Sequence, residues 1–289
     1  MKIGVMLESL RKGSFREGVE AAAALGLDGI QVYCVDWSEL NYKMTSAQAR
    51  EYLDIVKSNG LVLSALCGDF ATGFMDKDKN PEIVDMSKSV LEAAKMMECD
   101  VVTTHIGTLP VHETAEKEAA RIACRELATF ADSMGSAFAV ETGPEMATTL
   151  CDFLDSLGAG GVRVNFDPAN LVMVAGDRPE TAVKTLGKYI VHTHAKDGIK
   201  LNDGRKRDIN VVIGGEAKDH DALVGMGETY LELPLGEGDV NFDTYLPALA
   251  STGFDGFLTI EREVGADPEA DITKAVQFLR EKLAQYDLG

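Results

Sequence analysis

Short apolar runs recur along the whole chain and alternate with longer segments whose apolar residues are spaced as on one face of a helix. The runs have the length of strands, and turn-forming residues bound most of them. We therefore predict eight strands, at residues 2–7, 29–33, 61–67, 100–105, 137–141, 162–167, 189–194 and 256–261. Amphipathic helices are predicted to begin near residues 14, 46, 81, 113, 147, 179 and 267.

Strands that alternate with helices pair in parallel, and eight such strands close into a barrel. We predict an α/β fold, a single (β/α)8 TIM-barrel domain over residues 1–289. The competing fold, an open doubly wound sheet, gathers its site near one switch point. Here residues capable of chemistry end strands throughout the chain, and no glycine-rich phosphate motif follows a strand. The barrel is therefore preferred.

Residues 198–238, after strand seven, exceed the usual length of a connection. We predict an inserted loop or lid over the C-terminal mouth, with a short hairpin at residues 209–216. The segment carries a basic cluster, which consists of Lys200, Arg205, Lys206 and Arg207. This cluster is either a solvated part of the loop or a clamp for an anionic group of the substrate.

Composition limits the classes of partner. A formal charge of −19, from 28 basic and 47 acidic residues, repels nucleic acid and anionic membranes. No apolar run approaches the ~20 residues of a spanning helix, and the first residues lack a signal peptide, so we expect a cytoplasmic protein. The five cysteines are widely spaced and form no C-x-x-C pair, which argues against a disulfide framework or a thiolate zinc site.

The segment YIVHTHAKD, residues 189–197, supplies candidate chemistry because alternation along a strand directs His192 and His194 to one face. Three other predicted strands end in Glu141, Asp167 and Glu261. In a barrel, these strand ends surround one mouth. Three carboxylates and one imidazole make a hard, oxygen-rich site that suits one divalent ion, Mn²⁺ first, with Mg²⁺, Co²⁺ or Zn²⁺ as alternatives.

Five motifs, VETG, NFDPANL, HTHAKD, PLGEGDVNF and IERE, resemble the xylose-isomerase-like TIM-barrel superfamily, in the sugar (phosphate) isomerase/epimerase branch related to ketose 3-epimerases. The resemblance covers essentially the whole chain. It implies one metal ion held by Glu141, Asp167, His194 and Glu261, and it implies that both glutamates also form the acid/base pair. Members of this branch often associate, so the resemblance is compatible with a homo-oligomer.

The implied reaction is the isomerisation or epimerisation of a small sugar or sugar phosphate. It requires removal of a proton next to a carbonyl, and the resulting enediolate needs a nearby cation. Two carboxylates on opposite sides of the carbon would give epimerisation. One base that returns the proton to the neighbouring carbon would give aldose–ketose isomerisation, and the sequence leaves both outcomes open.

Several further residues are predicted to contact the substrate: Glu8, Cys67, His105, Asn170 and Lys196. Asn170 and Lys200 replace the histidine and arginine that ketose 3-epimerases usually carry at these positions, which points to sugar-phosphate and inositol-catabolism relatives. The alternative to a substrate contact is a surface ion pair for Lys196, and a neutral histidine in the core for His105. His192 is predicted to orient a ligand from behind. Trp37, the only tryptophan, either walls the pocket or packs on a helix.

Three other functions share parts of this pattern. An inosose-type dehydratase would use the same metal and proton abstraction but expel water. An endonuclease of the endonuclease IV type would need more histidines at strand ends. A non-catalytic sugar-binding protein would have no use for both glutamates.

Overall fold

The computed structural model describes residues 1–213 and 216–289, and the side chain of residue 213 is not included. Eight parallel strands close a barrel: β1 (Lys2–Met6), β2 (Gly29–Tyr33), β3 (Val62–Cys67), β4 (Val101–Thr104), β5 (Ala137–Glu141), β6 (Val162–Phe166), β7 (Ile190–Ala195) and β12 (Phe257–Ile260). Their order around the barrel is β1-β12-β7-β6-β5-β4-β3-β2. The predicted TIM-barrel fold is confirmed, and the open sheet is excluded.

Helices connect the strands on the outside of the barrel. They are α1 (Phe15–Ala24), α2 (Ser46–Ser58), α3 (Asn80–Met96), α4 (Ala115–Met134), α5 (Ala147–Asp155), α7 (Pro179–Leu186), α9 (Phe242–Ala250) and α10 (Pro268–Tyr286). The single turn α6 (Pro168–Asn170) directly follows β6, and α8 (His220–Gly225) belongs to the segment after β7. No helix in the part of the chain described here is long and apolar enough to cross a bilayer.

Local sequence signals explain where several helices begin. The Ser14 hydroxyl accepts the backbone N–H of Glu17 at the start of α1. Thr45 and Gln48 form a reciprocal capping box at the start of α2. The Asp167 carboxylate accepts the N–H groups of Ala169 and Asn170. Each such cap stabilises a helix by about 1 kcal/mol, and the last one also fixes a side chain at the mouth.

The core lies between the barrel and its helices. Phe138 and Phe166, which lie on neighbouring strands, are fully buried. The Phe166 ring stacks on Tyr245 of α9, with ring centroids 5.6 Å apart. Burial of an aromatic side chain of this size contributes about 2–3 kcal/mol, so α9 is an integral layer of the barrel. The sequence pattern did not predict α9.

The segment after β7 is structured rather than a plain loop. It contains β8 (Asp197–Lys200), β9 (Asn210–Ile213), β10 (Glu216–Asp219), α8 and β11 (Tyr230–Leu233). β9 and β10 form the predicted antiparallel hairpin, although residues 214 and 215 at its turn lie outside the described residues. β8 continues directly from β7 and pairs with β11. We call residues 197–238 the insertion.

Asp197 fixes the base of the insertion. Its carboxylate accepts four backbone N–H groups, from Gly198, Gly236, Gly238 and Val240, at 2.8–3.0 Å. A side chain at position 238 would place its Cβ 2.1 Å from the Asp197 Oδ1 atom, so glycine is required there. The motif PLGEGDV therefore wraps tightly around one buried carboxylate.

The basic residues of the insertion are engaged by neighbouring groups. The ion pairs are Arg205 and Arg207 with Asp203 and Asp239, and Lys206 with Asp221. Lys200 donates to the carbonyl oxygen of Val174 at 2.9 Å. These contacts favour the alternative of a solvated part of the loop over that of an anion clamp.

Candidate metal centre

Four adjacent strands of the barrel bring the four predicted ligands together. Glu141 ends β5, Asp167 and Glu261 directly follow β6 and β12, and His194 lies near the end of β7. Each residue offers one donor atom, and these atoms all lie within 4.8 Å of one another. Because β5, β6, β7 and β12 are neighbours in the barrel, the donors occupy one half of the mouth.

Two donor atoms of this cluster lack a hydrogen bond within the described residues. Asp167 Oδ2 and His194 Nδ1 are buried and form no hydrogen bond with any residue that the structure describes. The two atoms are 3.7 Å apart, and His194 Nδ1 is 3.2 Å from Glu261 Oε2. An unsatisfied buried polar atom costs about 1–3 kcal/mol. A divalent cation would relieve this cost, so the residues present fit a bound metal ion.

Electrostatics keep both glutamates ionised. Burial alone would raise the pKa of Glu141, but the charges of His105 and His194 outweigh burial and hold that pKa well below its usual value. Burial acts on Glu261 in the same way, and the charges of Lys196 and His194 lower its pKa to about 2. Ionised carboxylates are the form that binds hard cations.

Two amides hold the Glu141 carboxylate. Asn165 Nδ2 donates to Glu141 Oε2 at 3.1 Å, and Asn170 Nδ2 donates to Glu141 Oε1 at 2.9 Å. Asn170, a predicted substrate contact, is thus directed at a proposed ligand. Asn165 was missed by the sequence analysis, although alternation along β6 places it on the face of Asp167.

His192 and His194 share one buried partner. Gln31 Oε1 lies 2.8 Å from His192 Nε2 and 3.1 Å from His194 Nε2. Burial lowers the pKa of His192 to about 3, so its ring is neutral. His192 therefore lies behind His194 and is linked to it through Gln31. Gln31 was not predicted as part of the site, and its only mark in the sequence is that it is the one polar residue in the apolar run GIQVY.

Lys196 is buried inside the acidic cluster. Its ammonium Nζ lies 2.9 Å from Glu261 Oε2 and 3.9 Å from Asp167 Oδ2, and it also contacts Glu263. Burial alone would lower the pKa of Lys196, but the surrounding carboxylates raise it well above its ordinary value. The alternative of a surface ion pair is wrong, because only 4% of the residue is exposed.

Glu232, on β11 of the insertion, contacts this cluster. Its carboxylate Oε1 accepts from Arg262 Nη1 at 2.6 Å and from the Glu263 N–H at 3.1 Å. Glu232 Oε2 lies 3.8 Å from Lys196 Nζ. The insertion thus supports the two residues that follow Glu261.

The other half of the mouth carries the remaining predicted contacts. His105 Nδ1 is 2.7 Å from Asp69 Oδ2, and His105 Nε2 is 3.4 Å from Glu141 Oε1. With 48% of its side chain exposed, His105 is not a core histidine. Glu8 follows β1, and the buried Cys67 ends β3. These residues face the mouth from strands that supply none of the four donors.

The sequence matches one protein family, described as xylose isomerase-like TIM barrel, over residues 19–282. The chain belongs to this family. Among solved structures, a xylose isomerase domain protein from Planctomyces limnophilus is 23% identical with a TM-score of 0.79, and the match covers 98% of this chain and 97% of that chain. No curated protein matches the sequence.

Two further solved structures share the fold. A D-tagatose 3-epimerase-like protein is 18% identical with a TM-score of 0.75, and the match covers 99% of this chain and 98% of that one. The probable 3-DHS dehydratase AsbF from Bacillus anthracis is 16% identical with a TM-score of 0.74, and the match covers 97% of this chain and 99% of that one. At these identities the likeness establishes the fold.

Proposed function

We propose that this xylose isomerase-like chain is a divalent-metal-dependent isomerase or epimerase of a small sugar or sugar phosphate. The observation that carries the proposal is the placement of two ionised glutamates, Glu141 and Glu261, in one cluster with the unsatisfied donor atoms of Asp167 and His194. Family membership and the epimerase-like structural neighbour support it.

Glu141, Asp167, His194 and Glu261 would hold the metal ion. Three carboxylates and one imidazole favour Mn²⁺, with Mg²⁺ or Co²⁺ as the next choices. When bound, the ion would polarise the substrate carbonyl as a Lewis acid and make the neighbouring C–H more acidic.

Glu141 and Glu261 would transfer the proton. They lie at the two ends of the four-strand arc, so one carboxylate can take a proton from the substrate carbon while the other returns one. The amides of Asn165 and Asn170 restrict the Glu141 carboxylate to one orientation. Lys196 holds the Glu261 carboxylate in the same manner.

Substrate hydroxyl groups would meet His105. Asp69 holds one nitrogen of the ring, and the other nitrogen lies on the side of Glu141. An imidazole fixed in this way can hydrogen-bond a hydroxyl next to the reacting carbon without changing its orientation.

Dehydration of a keto-polyol, such as an inosose, is the second candidate. It begins with the same proton abstraction, and one structural neighbour is named as a probable dehydratase. Loss of water lowers the product mass by ~18 Da, whereas isomerisation leaves the mass unchanged, so mass spectrometry separates the two reactions.

The experiment is exchange of the carbon-bound proton with deuterium. The Mn²⁺-loaded protein is incubated in D2O with ketoses, ketose phosphates and inososes, and exchange is followed by NMR. We expect exchange for one substrate class. Glu141→Gln and Glu261→Gln should each reduce it by a factor of about 10²–10⁴, the usual contribution of one acid/base group. Glu20→Gln, on the exposed side of α1, is the matched control with full activity.

Each variant is checked for folding by near-UV circular dichroism. Full exchange in folded Glu141→Gln or Glu261→Gln would exclude the proposed proton transfer. Exchange that survives removal of all divalent metal would exclude the metal requirement.

A further inference from the structure

An aromatic pair lies on the half of the mouth that supplies none of the four donors. Tyr33 ends β2, and Trp37 lies in the loop between β2 and α2. The two ring centroids are 4.8 Å apart with an interplanar angle of 47°. Trp37 is 67% exposed although its ring is held against Tyr33. A fixed aromatic face open to solvent is typical of a binding surface.

A cavity of about 290 Å³ lies beside this pair. Leu7, Phe15 and Leu40 contribute apolar side chains to its lining, and Trp37 and Tyr33 contribute aromatic ones. Small-molecule sites are concave and mostly apolar and begin near 300 Å³. The space therefore suits one ring of a small molecule.

Glu8 supplies an unused acceptor in this cavity. Its Oε1 accepts the backbone N–H of Tyr33 at 3.1 Å. Its Oε2 is buried and has no hydrogen-bond partner in the described ranges 1–213 and 216–289. Burial raises the pKa of Glu8 to about 7, so Oε2 is an unprotonated acceptor above that pH. A donor from a ligand, such as a hydroxyl group, would satisfy this oxygen.

The cationic groups in the cavity wall are already engaged. The Arg11 guanidinium donates to the carbonyl oxygens of Glu263 and Gly265 at 2.9 and 3.0 Å. The Lys12 ammonium pairs with Glu269 at 2.8 Å. Because the unused polar atom is an acceptor and these cations have partners, the cavity favours a neutral ligand rich in hydroxyl groups over an anionic one.

This cavity adjoins the proposed metal centre. Glu8 follows β1, and β1 pairs with β12, the strand that Glu261 directly follows. Burial is the main cause that raises the pKa of Tyr33, and nearby acidic groups, which include Glu261 and Glu141, raise it further. Tyr33 ends β2, which pairs with the other edge of β1, so the aromatic pair and Glu261 follow the two strands that flank β1.

We propose that Trp37, Tyr33 and Glu8 form a subsite for a second ring of a neutral carbohydrate substrate, whose reacting ring lies at the metal centre. This inference rests on the proposed function for the reacting ring. The apolar C–H face of a pyranose would stack on the exposed indole, and one of its hydroxyl groups would donate to Glu8. The substrate is then a glycoside or a disaccharide rather than a free monosaccharide.

Trp37 is the only tryptophan, so fluorescence excited selectively in tryptophan reports on this position alone. The full chain is titrated in Mg²⁺, which does not quench indole emission, with cellobiose, maltose, lactose, methyl β-glucoside and glucose. We expect a saturable blue shift with at least one glycoside, and at least about tenfold weaker binding of glucose.

Variants assign the signal to the named residues. Glu8→Gln keeps the fluorophore and should weaken glycoside binding by about tenfold or more, the effect of one charge-assisted hydrogen bond. Trp37→Ala, measured by calorimetry, should weaken binding by about tenfold through loss of stacking. Glu20→Gln, which lies outside the cavity, should bind as the unaltered chain does.

Absence of a saturable response to every glycoside would overturn the subsite, and so would equal affinity for glucose. Deuterium exchange separates this result from the fate of the proposed function. Exchange with monosaccharides alone, without a tryptophan response, would retain the proposed function and reject the subsite. A glycoside response abolished by Glu8→Gln, without exchange, would retain the subsite and reject the proposed reaction.

Discussion

The ammonium group of Lys196 lies 2.9 Å from the carboxylate of Glu261, and both groups are almost fully enclosed by protein. A further proposed ligand, Asp167, is within 3.9 Å of the same ammonium. Lys196 thus neutralises part of the negative charge that a divalent ion would also neutralise. The stability of the barrel and the binding of metal should therefore depend on each other.

Lys196→Met tests this dependence, because methionine keeps the length of the side chain and removes its charge. Loss of one partner from a buried ion pair costs about 3–5 kcal/mol, so the free energy of unfolding should fall by that amount in EDTA. The loss should be smaller in Mn²⁺, because the ion offsets the unpaired carboxylates. Thermal unfolding with and without Mn²⁺ measures both values.

Lys188→Met is the control for this comparison. Lys188 pairs with Asp155 on the surface, with 59% and 48% of the two side chains exposed. Such a pair contributes less than about 1 kcal/mol, so this variant should lose little stability in either condition. An equal loss for Lys196→Met with and without Mn²⁺ would contradict the coupling.

Asn165→Leu should weaken metal binding while the barrel remains folded. The Asn165 amide donates to Glu141 Oε2, so its loss frees one proposed ligand to rotate. Loss of such a supporting group usually costs 10–100-fold in metal affinity, or about 1.4–2.7 kcal/mol. Calorimetric titration with Mn²⁺ measures the change.

The exposed Asn202→Leu substitution in the insertion provides the comparison and should leave the affinity unchanged. Unfolding of both variants in EDTA separates metal binding from folding. An unchanged Mn²⁺ affinity in folded Asn165→Leu would show that the amide does not support the site.

Asp197→Asn should loosen the base of the insertion. A carboxylate can accept all four N–H groups that converge on Asp197, whereas an amide presents only one oxygen. Two backbone donors would lose their acceptor, at about 1–3 kcal/mol each. Hydrogen exchange should accelerate at the two amides that share one oxygen, either Gly236 and Gly238 on Oδ2 or Gly198 and Val240 on Oδ1.

The solvent-exposed Asp221→Asn serves as the reference for charge removal in the same segment. Its exchange at residues 198, 236, 238 and 240 should match that of the unaltered chain. Unchanged protection at these amides in Asp197→Asn would mean that the motif PLGEGDV holds its conformation without the carboxylate.

Glu145 should make stability depend on pH. Burial raises its pKa from 4.5 to about 7, so the folded state binds the proton more tightly than the unfolded state does. The resulting stabilisation is complete below pH 4.5 and is lost as the pH rises through about 7, with a total of up to about 3 kcal/mol. Glu145→Gln keeps an acceptor for the Leu109 N–H and removes the ionisation.

Urea unfolding of both proteins across this pH range measures the effect. Relative to the unaltered chain, Glu145→Gln should gain stability as the pH rises from 4.5 to 7. A difference in unfolding free energy that does not change with pH would show that Glu145 does not titrate in this window.

The barrel was predictable because its strands are buried on both faces and therefore appear as continuous apolar runs. The positions of Glu141, Asp167, His194 and Glu261 followed from their place at the ends of these runs. Their roles as ligands stay a prediction. Asn165 and Gln31 escaped notice because a polar residue inside a strand has no distinctive spacing, and only the folded barrel reveals its partner.

Helix α9 was missed for a different reason. Pro247 lies inside it, and a proline in the interior normally argues against a helix. Its apolar residues Phe242, Tyr245, Leu246 and Leu249 are buried, and this packing against the barrel outweighs local preference. The insertion was underestimated because short strands that pair only with each other carry a weak sequence signal.

The continuous run from β7 into β8 has a consequence for engineering. Only two residues separate His194 from Asp197, so no loop intervenes between the half of the mouth with the four proposed ligands and the insertion. To exchange the insertion, the junctions should be placed beyond the pair of β8 and β11 residues formed by Lys200 and Tyr230. A replacement segment joined there would leave β7 and the start of β8 unchanged, whereas a junction closer to the barrel would displace the His194 imidazole.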